Sequence, residues 1–414
     1  MAIIDEKTKL QIEQYLEQLE TVFNVENDFS EDIEPVQSGG YHITGISVRF
    51  PDDMDYAFYT VDEFLDYMSD IDTFEEVDKS TARTSHVRQS VIYFRYNGFE
   101  NYEDRLKAFD FSGEGFKVKV IKKPFLIGLV NAKNGNSDSN LGLGSMDPYI
   151  ALEMKYTGKD RLKKKDEDKL FERITFFLSK ELNTSIYIIP VRDVREAWDE
   201  IYPDEDEIEE PANTTVKVRD LISYSPMLKL YKQALATEDL EIRFLQFYKI
   251  IEHISPVVAR LEAYDKLNKR LDILASSERD YKYLDSLFSI TRKYDTDVKD
   301  DYLAISVIQS CVDVIPLWGY LPEKLRKQIK STLHLQTDDI TDDSIKDEQL
   351  ASLQKQIANI LYATRNNIVH AKSNYTPNGL ELQGDELIDG NKMMDIIAMS
   401  IIQWNERQPA AYRI

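Results

Sequence analysis

The chain has 414 residues, of which 42% are hydrophobic and 30% are charged, a balance typical of folded globular proteins. Its length exceeds the usual size of a single hydrophobic core, so we expect two domains. No apolar run approaches the roughly 18 residues that cross a bilayer, and the first residues lack the pattern of a secretory signal. The lone Cys311 excludes an internal disulfide and a cysteine-rich zinc site, and we predict a cytoplasmic protein.

The net charge of −23 is concentrated near the beginning of the chain. Residues 1–80 contain 4 Lys and Arg against 21 Asp and Glu, a net charge of −17, whereas residues 211–414 contain 26 against 29, a net charge of −3. Binding of nucleic acid depends on Lys and Arg that neutralise phosphates. Since the acidic excess belongs to the front of the chain, the nearly neutral second half can still form a local basic groove.

Residues 1–202 are predicted to form an acidic α+β domain. Residues 4–24 place apolar side chains at helical spacing and indicate an amphipathic helix. Five later stretches combine β-branched and aromatic residues with partial alternation, which indicates strands, and residues 165–182 indicate a helix between the last two. The strand-like stretches are YHITGISVRF, SVIYFRYNGF, FKVKVIKKPFLIGLV, PYIALEMKY and SIYIIPV.

Residues 203–211, PDEDEIEEP, are acidic and flanked by proline, which predicts a linker. After them the strand signal nearly disappears, and the pattern over residues 212–414 is helical from TVKVRDLISYSPMLKLYKQALA onward. The helix predicted at residues 239–254 carries apolar side chains three and four positions apart, a stripe that predicts a buried face. We therefore expect an all-helical bundle in the second half and an α+β fold class for the whole chain.

The stretch RNNIVH ends another predicted amphipathic helix. Ile357, Leu361 and Arg365 are four positions apart, so an arginine stands where the helical pattern predicts a core residue. A charge at such a position needs a partner, solvent or a bound anion. Asn366 and His370 are also four apart and share the adjacent face, so the three polar side chains converge on one edge of the bundle. On spacing alone, a helix end with ordinary caps or salt bridges explains them as well.

A run of basic residues is a candidate RNA-binding surface. Lys324, Arg326, Lys327 and Lys330 lie close together in PEKLRKQIK, and a solvated helix face is the alternative interpretation. The five histidines are scattered, and no two of them have the spacing of metal ligands on a helix, so we predict no metal site.

The hexapeptide Arg365-Asn366-Asn367-Ile368-Val369-His370 resembles the signature of the HEPN superfamily, an arginine and a polar residue followed by a histidine. The helix RFLQFYKIIEHI far upstream and the last helix, NKMMDIIAMSIIQWNE, resemble its Apea-like branch, which is associated with bacterial toxins and antiphage defence. The resemblance covers residues 220–405 and does not include residues 1–200.

What the resemblance implies is a metal-independent endoribonuclease without a cofactor, acting in antiphage defence or abortive infection. His370 would serve as base or acid, Arg365 would hold the phosphate, and Asn366 would orient the histidine or the scissile phosphate. Glu252 is a candidate for orienting Arg365 across the bundle. In this superfamily two bundles pair so that two Arg/His sets face each other, which implies a homodimer.

Two other interpretations stay open. The first is a HEPN-type module that binds RNA or a partner protein without cleaving. The second is a structural helical adaptor, which would be indicated if Arg365 were paired with an internal carboxylate and shut off from solvent. The acidic first domain is predicted to be a sensor for a phage-derived or other trigger, or a shield that repels cellular RNA.

Overall fold

The computed structural model describes most of the chain and divides it into two compact units, Met1–Leu221 and Ile222–Ile414. The first unit combines helices and strands, whereas the described residues of the second form helices and no strand, so the predicted α+β fold class is confirmed. The described residues are 2–29, 33–36, 39–78, 80–94, 105–106, 108–137, 144–146, 149–158, 160–189, 214–273, 285, 287–288, 300–335, 340–341, 344–370 and 376–414.

The described residues of the first unit include three sheets. The largest has the strand order β14-β10-β11-β12-β9-β8-β7, with β13 also paired to β9, and all its pairs are antiparallel except β10 with β14. Two antiparallel three-stranded sheets have the orders β1-β4-β3 and β2-β5-β6. The strands are β1 (Ala2–Ile4), β2 (Glu26–Asn27), β3 (Ile33–Pro35), β4 (Tyr41–Ile43), β5 (Ile46–Arg49), β6 (Ala57–Tyr59), β7 (Glu75–Asp78), β8 (Thr81–Arg83), β9 (Val87–Phe94), β10 (Phe109–Gly113), β11 (Phe116–Lys122), β12 (Ile150–Tyr156), β13 (Ile186–Ile188) and β14 (Thr214–Lys217).

Helices cover both faces of the largest sheet. Val91 of β9 belongs to one core cluster, with side chains of the first and third helices, and the adjacent Ile92 belongs to a second, with side chains of the fourth. Because successive residues of a strand point to opposite faces, a central strand covered on both sides is buried almost continuously. The helices are α1 (Glu6–Phe23), α2 (Val61–Met68), α3 (Phe125–Asn134) and α4 (Lys164–Leu182). Of these, α1 and α4 correspond to the helices predicted at residues 4–24 and 165–182.

The strand predicted across FKVKVIKKPFLIGLV is wrong in its second part. Its first part is β11, but the chain enters helix α3 after Pro124, whose φ of −70° suits a helix start and which has no N–H to lose there. Every residue of α3 from Phe125 to Asn131 is buried, so the sequence showed no amphipathic period. A short run of this kind cannot be assigned to a helix or a strand by periodicity.

The predicted helical pattern after the linker is also wrong at its start. Strand β14 pairs in parallel with β10 of the first unit, in keeping with the β-branched residues of TTVK. Nη2 of Arg173 then donates to the carbonyl oxygens of Val218 and Leu221. The boundary between the units therefore follows Leu221 rather than residue 211. The predicted linker at residues 203–211 lies outside the described residues.

The second unit is a bundle in which the long second helix contacts four others. Its helices are α5 (Pro226–Leu235), α6 (Leu240–Ile273), α7 (Asp300–Cys311), α8 (Glu323–Leu333), α9 (Asp347–His370) and α10 (Glu386–Arg407), with a 3₁₀ helix at Ile315–Tyr320. Helix α6 packs against α5, α7, α9 and α10. Of its predicted apolar stripe, Leu240 is half-buried, and the buried members are Phe244, Phe247, Ile250, Ile251 and Ile254. In the described part of the chain, no helix has the length and apolar character needed to span a bilayer.

Candidate functional site

Helix α9 leaves the core over its last turn. The residues that anchor it are fully buried: Leu353, Ile357, Ala358, Ile360 and Leu361. Burial then decreases toward the end of the helix, where Arg365 and Asn366 are half-buried and Val369 and His370 are exposed. The helix therefore fixes the predicted site residues on a rigid element and carries them to the surface of the bundle.

The guanidinium of Arg365 is held by two oxygen atoms. Its Nη2 donates to Oε1 of Glu252 on α6 at 3.0 Å, and its Nη1 donates to Oδ1 of the neighbouring Asn366 at 3.0 Å. Glu252 and Arg365 are 113 positions apart in the sequence, and the packing of α6 against α9 brings them together. The structure thus unites three of the four predicted catalytic residues in one cluster.

The ion pair between Arg365 and Glu252 is open to solvent. The side chain of Arg365 is 25% exposed and that of Glu252 is 47% exposed. An ion pair of this exposure contributes about 0–1 kcal/mol to stability, because water screens the charges and both side chains lose freedom. The carboxylate partner of Arg365 is exposed rather than internal, and Arg365 is not shut off from solvent, so neither condition for a structural adaptor is met.

His370 is the last residue of α9 and is exposed. Asn366 lies one turn before it, so the helix places both on one face, next to Arg365. Val369, which directly precedes His370, is 47% exposed. The end of α9 therefore presents a histidine, an arginine with a carboxylate and an amide, and an apolar side chain, all within reach of solvent.

Thr364 ties the chain after the site to the core of the bundle. Its Oγ1 donates to the carbonyl oxygen of Ile360 and accepts a hydrogen bond from the backbone N–H of Leu382, 3.0 Å away. Both Thr364 and Leu382 are buried. This pair of bonds holds the irregular segment before α10 against α9, one residue from Arg365.

A pocket of about 230 Å³ opens beside the ion pair. Its mouth includes Glu252, Arg365 and the exposed Asp300, at the start of α7. The remaining lining residues are Tyr248, Ile251, Ser255, Pro256, Leu303, Ala304 and Tyr362. Helices α6, α7 and α9 of the bundle therefore border a small open pocket that has apolar walls and a charged rim.

Tyr248 lines this pocket, and its hydroxyl is neutral. Its side chain is 3% exposed and stacks beside Phe244, with ring centroids 6.5 Å apart. Burial, followed by the negative charge of Glu252, raises the pKa of the Tyr248 phenol, while Arg365 opposes the increase. Glu252 and Arg365 affect the pKa of Tyr248 because all three residues line the same pocket. Among the described residues, the Tyr248 hydroxyl has no hydrogen-bond partner.

Two residues alter the backbone hydrogen bonding of α6 at the pocket. Pro256 lacks the N–H that would bond the carbonyl oxygen of Glu252 in a regular helix. Ser255 donates its hydroxyl to the carbonyl oxygen of Ile251 at 2.6 Å, an interaction that competes with the helical hydrogen bonds. The backbone hydrogen bonds of α6 therefore differ from those of a regular helix at the turn that carries Glu252.

The basic residues predicted to bind RNA lie on α8, whose buried residues are Leu325, Ile329 and Leu333. Lys324 and Lys327 are exposed, and Arg326 and Lys330 are half-buried. Lys327 forms an ion pair with Glu323, and Lys324 lines a second cavity together with the carboxylates of Glu381, Asp385 and Glu386. The arrangement fits a solvated helix face, and RNA binding at α8 stays a prediction.

The sequence interpretation missed the aromatic and hydroxyl side chains of the pocket. Tyr248, Glu252 and Pro256 recur at intervals of four, and Tyr362 precedes Arg365 by three, so each group follows one face of its helix. That spacing was a usable signal, but an aromatic residue at helical spacing also fits an ordinary core position. Only the packing of α6 against α7 and α9 separates the two possibilities.

Comparison with protein-family models, curated proteins and solved structures found no match for this chain. The site itself is therefore the basis for assigning a function. Among the described residues, no three His, Cys, Asp or Glu side chains are grouped so that they could hold a metal ion.

Proposed function

We propose that the helical unit is a HEPN-type endoribonuclease that cleaves RNA without a metal ion and acts as an effector of bacterial antiphage defence or abortive infection. The observation that carries the proposal is the solvent-open Arg365, held by Glu252 and Asn366 at the end of α9, with the exposed His370 one turn beyond. An enclosed arginine would serve the fold alone. An arginine that is both positioned and accessible can bind an anion.

Arg365 is suited to the phosphate. A guanidinium has five N–H donors in a fixed plane and keeps its charge at any physiological pH. Two of its nitrogens already face oxygen acceptors, so a phosphate either uses the remaining donors or replaces the Glu252 carboxylate. In both cases the positive charge of Arg365 is already in place to stabilise the negative charge that develops on the phosphate oxygens during the reaction.

The reaction transfers phosphorus from the 5′-oxygen of one nucleotide to the 2′-oxygen of its neighbour. A base removes the proton of the 2′-hydroxyl, the 2′-oxygen forms a bond to phosphorus, the bond to the 5′-oxygen breaks, and an acid gives that oxygen a proton. The products are a 2′,3′-cyclic phosphate and a 5′-hydroxyl. Histidine is the side chain that most often serves as a general base or acid, and His370 takes one of the two roles.

A second proton-transfer group completes the reaction, and a second copy of the chain supplies it. In the proposed homodimer two copies of α9 meet at their ends, so that each His370 serves as base or acid opposite the other. Such a contact would also cover the exposed apolar side chain of Val369. The oligomeric state in solution tests it.

The acidic first unit is proposed to control the nuclease. Residues 1–80 carry a net charge of −17, which repels RNA phosphates at low ionic strength. A trigger that engages this unit would relieve the repulsion or release the helical unit. If deletion of residues 1–221 left both toxicity and RNA affinity unchanged, the first unit would have no controlling role.

The test of the function is an RNA cleavage assay in EDTA with labelled single-stranded RNA and matched DNA. We expect RNA alone to be cut, with 2′,3′-cyclic phosphate ends, and His370→Ala to abolish cleavage while preserving the helical content. His253→Ala is the matched control, because His253 is exposed on α6 and has no role in the site. Equal cleavage by wild type and His370→Ala would contradict the proposal.

The alternative is a HEPN-type module that binds RNA or protein without cleaving. It predicts that wild type leaves RNA intact both as the full chain and as residues 222–414, while RNA still binds. The shorter chain matters because it removes the acidic unit. Cleavage that begins only after this removal supports control by the first unit, whereas binding without cleavage in both chains supports the module.

A further inference from the structure

The pocket beside Arg365 has a polar group that the fold leaves unused. Tyr248 is 3% exposed and lines the cavity, and among the described residues no group donates a hydrogen bond to its hydroxyl or accepts one from it. The hydroxyl is not among the side-chain atoms that are sealed from solvent without a partner, so it is open to the pocket, where water can bond to it. A ligand that enters the pocket displaces this water and can form the hydrogen bond in its place.

The size of the pocket fits one flat ring system. Its volume of about 230 Å³ is below the roughly 300 Å³ at which pockets for drug-sized molecules begin. Its walls contain Ile251, Leu303 and Ala304, and the ring of the half-buried Tyr362. Proteins that recognise single-stranded RNA take unstacked bases into sites of this kind, with aromatic side chains against the base and polar groups at its edge.

Charge decides which part of a nucleotide enters. The carboxylates of Asp300 and Glu252 border the cavity and repel a phosphate, whereas Arg365 at the rim attracts one. A nucleotide would therefore place its phosphate at Arg365 and its base inside the pocket. This orientation puts the base next to the phosphate that the proposed reaction cleaves.

The polar groups of the pocket are mostly hydrogen-bond acceptors. Ser255 has already donated its proton to the carbonyl oxygen of Ile251, so its oxygen can only accept, and the carboxylate of Asp300 can only accept. Exocyclic amino groups on adenine, cytosine and guanine can donate to such oxygens, whereas uracil has no amino group and offers one N3–H between two carbonyl oxygens, which acceptors repel. The lining therefore favours bases with an exocyclic amino group.

We propose that this pocket binds one nucleobase of the substrate RNA, next to the scissile phosphate, and selects adenine, cytosine or guanine over uracil through Tyr248, Ser255 and Asp300. The inference rests on the proposed ribonuclease function for its substrate. It adds to that function a base preference and the residues that set it.

The test measures binding of RNA that cannot be cleaved. The full chain with His370→Ala is titrated into fluorescent nine-nucleotide oligouridine, in which the central base is uracil or is replaced by adenine, cytosine or guanine, and fluorescence anisotropy is recorded. We expect the three replaced RNAs to bind about fivefold more tightly than oligouridine, the effect of one hydrogen bond. Equal affinity for all four RNAs, or no binding, would overturn the inference.

Tyr248→Phe, added to His370→Ala, removes only the unused hydroxyl. We expect the base preference to fall to within about twofold, while urea unfolding is unchanged, because no hydrogen bond of the fold is lost. Tyr264→Phe is the matched control, as Tyr264 is 42% exposed on the same helix and lies near Tyr412 instead. An undiminished preference in Tyr248→Phe would show that the hydroxyl takes no part in the selection and would overturn the inference.

A cleavage assay with the wild-type chain, which retains His370, tests the base pocket and the ribonuclease function separately. RNA that is cut without base preference leaves the ribonuclease standing and removes the base pocket. RNA that binds with the expected preference but is never cut retains the pocket and removes the nuclease.

Discussion

Each unit of the protein contains an arginine that is paired with a carboxylate, and the two pairs differ in their access to water. In the first unit, Arg88 donates from Nη1 to Glu167 at 2.8 Å and from Nη2 to Asp168 at 2.6 Å, and the side chains of Arg88 and Glu167 are 5% and 7% exposed. In the second unit, Arg365 and Glu252 are 25% and 47% exposed. The enclosed group serves the fold, whereas the open group is available to a ligand.

The surroundings of the two arginines support this contrast. The guanidinium of Arg88 lies over the ring of Phe171, 4.8 Å from its centroid, and Tyr156 donates to the second oxygen of Glu167 at 2.6 Å. Nearby, the buried Glu153 accepts hydrogen bonds from Tyr67 and Gln89. Most of the hydrogen-bonding atoms of these charged groups are therefore bonded to neighbouring side chains. At Arg365, by contrast, a pocket and an exposed histidine adjoin the pair.

The largest expected effect is the loss of the enclosed arginine. Arg88→Met leaves the buried Glu167 without its charge partner and should lower the free energy of unfolding of the first unit by about 3–5 kcal/mol. Urea titration combined with hydrogen–deuterium exchange of peptides from β9 and α4 measures it. Arg83→Met is the control, because Arg83 forms an exposed pair with Glu75 and should lose less than about 1 kcal/mol. Similar losses in both variants would remove the contrast.

A loosely packed helical unit would also leave Arg365 exposed, and Cys311 tests that explanation. Cys311 lies on α7 and is 6% exposed, and burial raises the pKa of its thiol to about 12. Because the thiolate is the reactive form, we expect alkylation by iodoacetamide at pH 8 to be at least about a hundredfold slower in the folded chain than in urea. Comparable rates would mean that the unit is loose throughout.

A smaller effect is expected where the fold supports the open site. Thr364→Val leaves the buried N–H of Leu382 without its acceptor and should cost about 1–3 kcal/mol. Hydrogen exchange of peptides that cover residues 376–385 should rise with it. Thr332→Val, on the exposed face of α8, is the control and should change stability by less than about 0.5 kcal/mol. Unchanged exchange in Thr364→Val would show that the segment is held by other contacts.

The sequence predicted the fold where local patterns were strong. The stripe of α6 and the alternating strands led to the α+β class, and Arg365 was found because it interrupts the core spacing of α9. Helix α3 was missed because it is buried on all sides and shows no periodicity. The pair of Arg88 and Glu167 was missed because its members are 79 positions apart and only the packing of α4 on the sheet joins them. Tyr248 was missed for a similar reason, since its unused hydroxyl becomes evident only in the folded bundle.

The central claim is that Arg365 serves a ligand and contributes little to the fold. Arg365→Gln, compared with Arg260→Gln on the exposed side of α6, tests it when RNA cleavage in EDTA and urea unfolding are measured on the same preparations. We predict that Arg365→Gln loses cleavage at least a hundredfold, keeps its free energy of unfolding to within about 1 kcal/mol, and differs from Arg260→Gln in cleavage alone. Cleavage at the wild-type rate, or a loss of several kcal/mol of stability in Arg365→Gln, would contradict the claim.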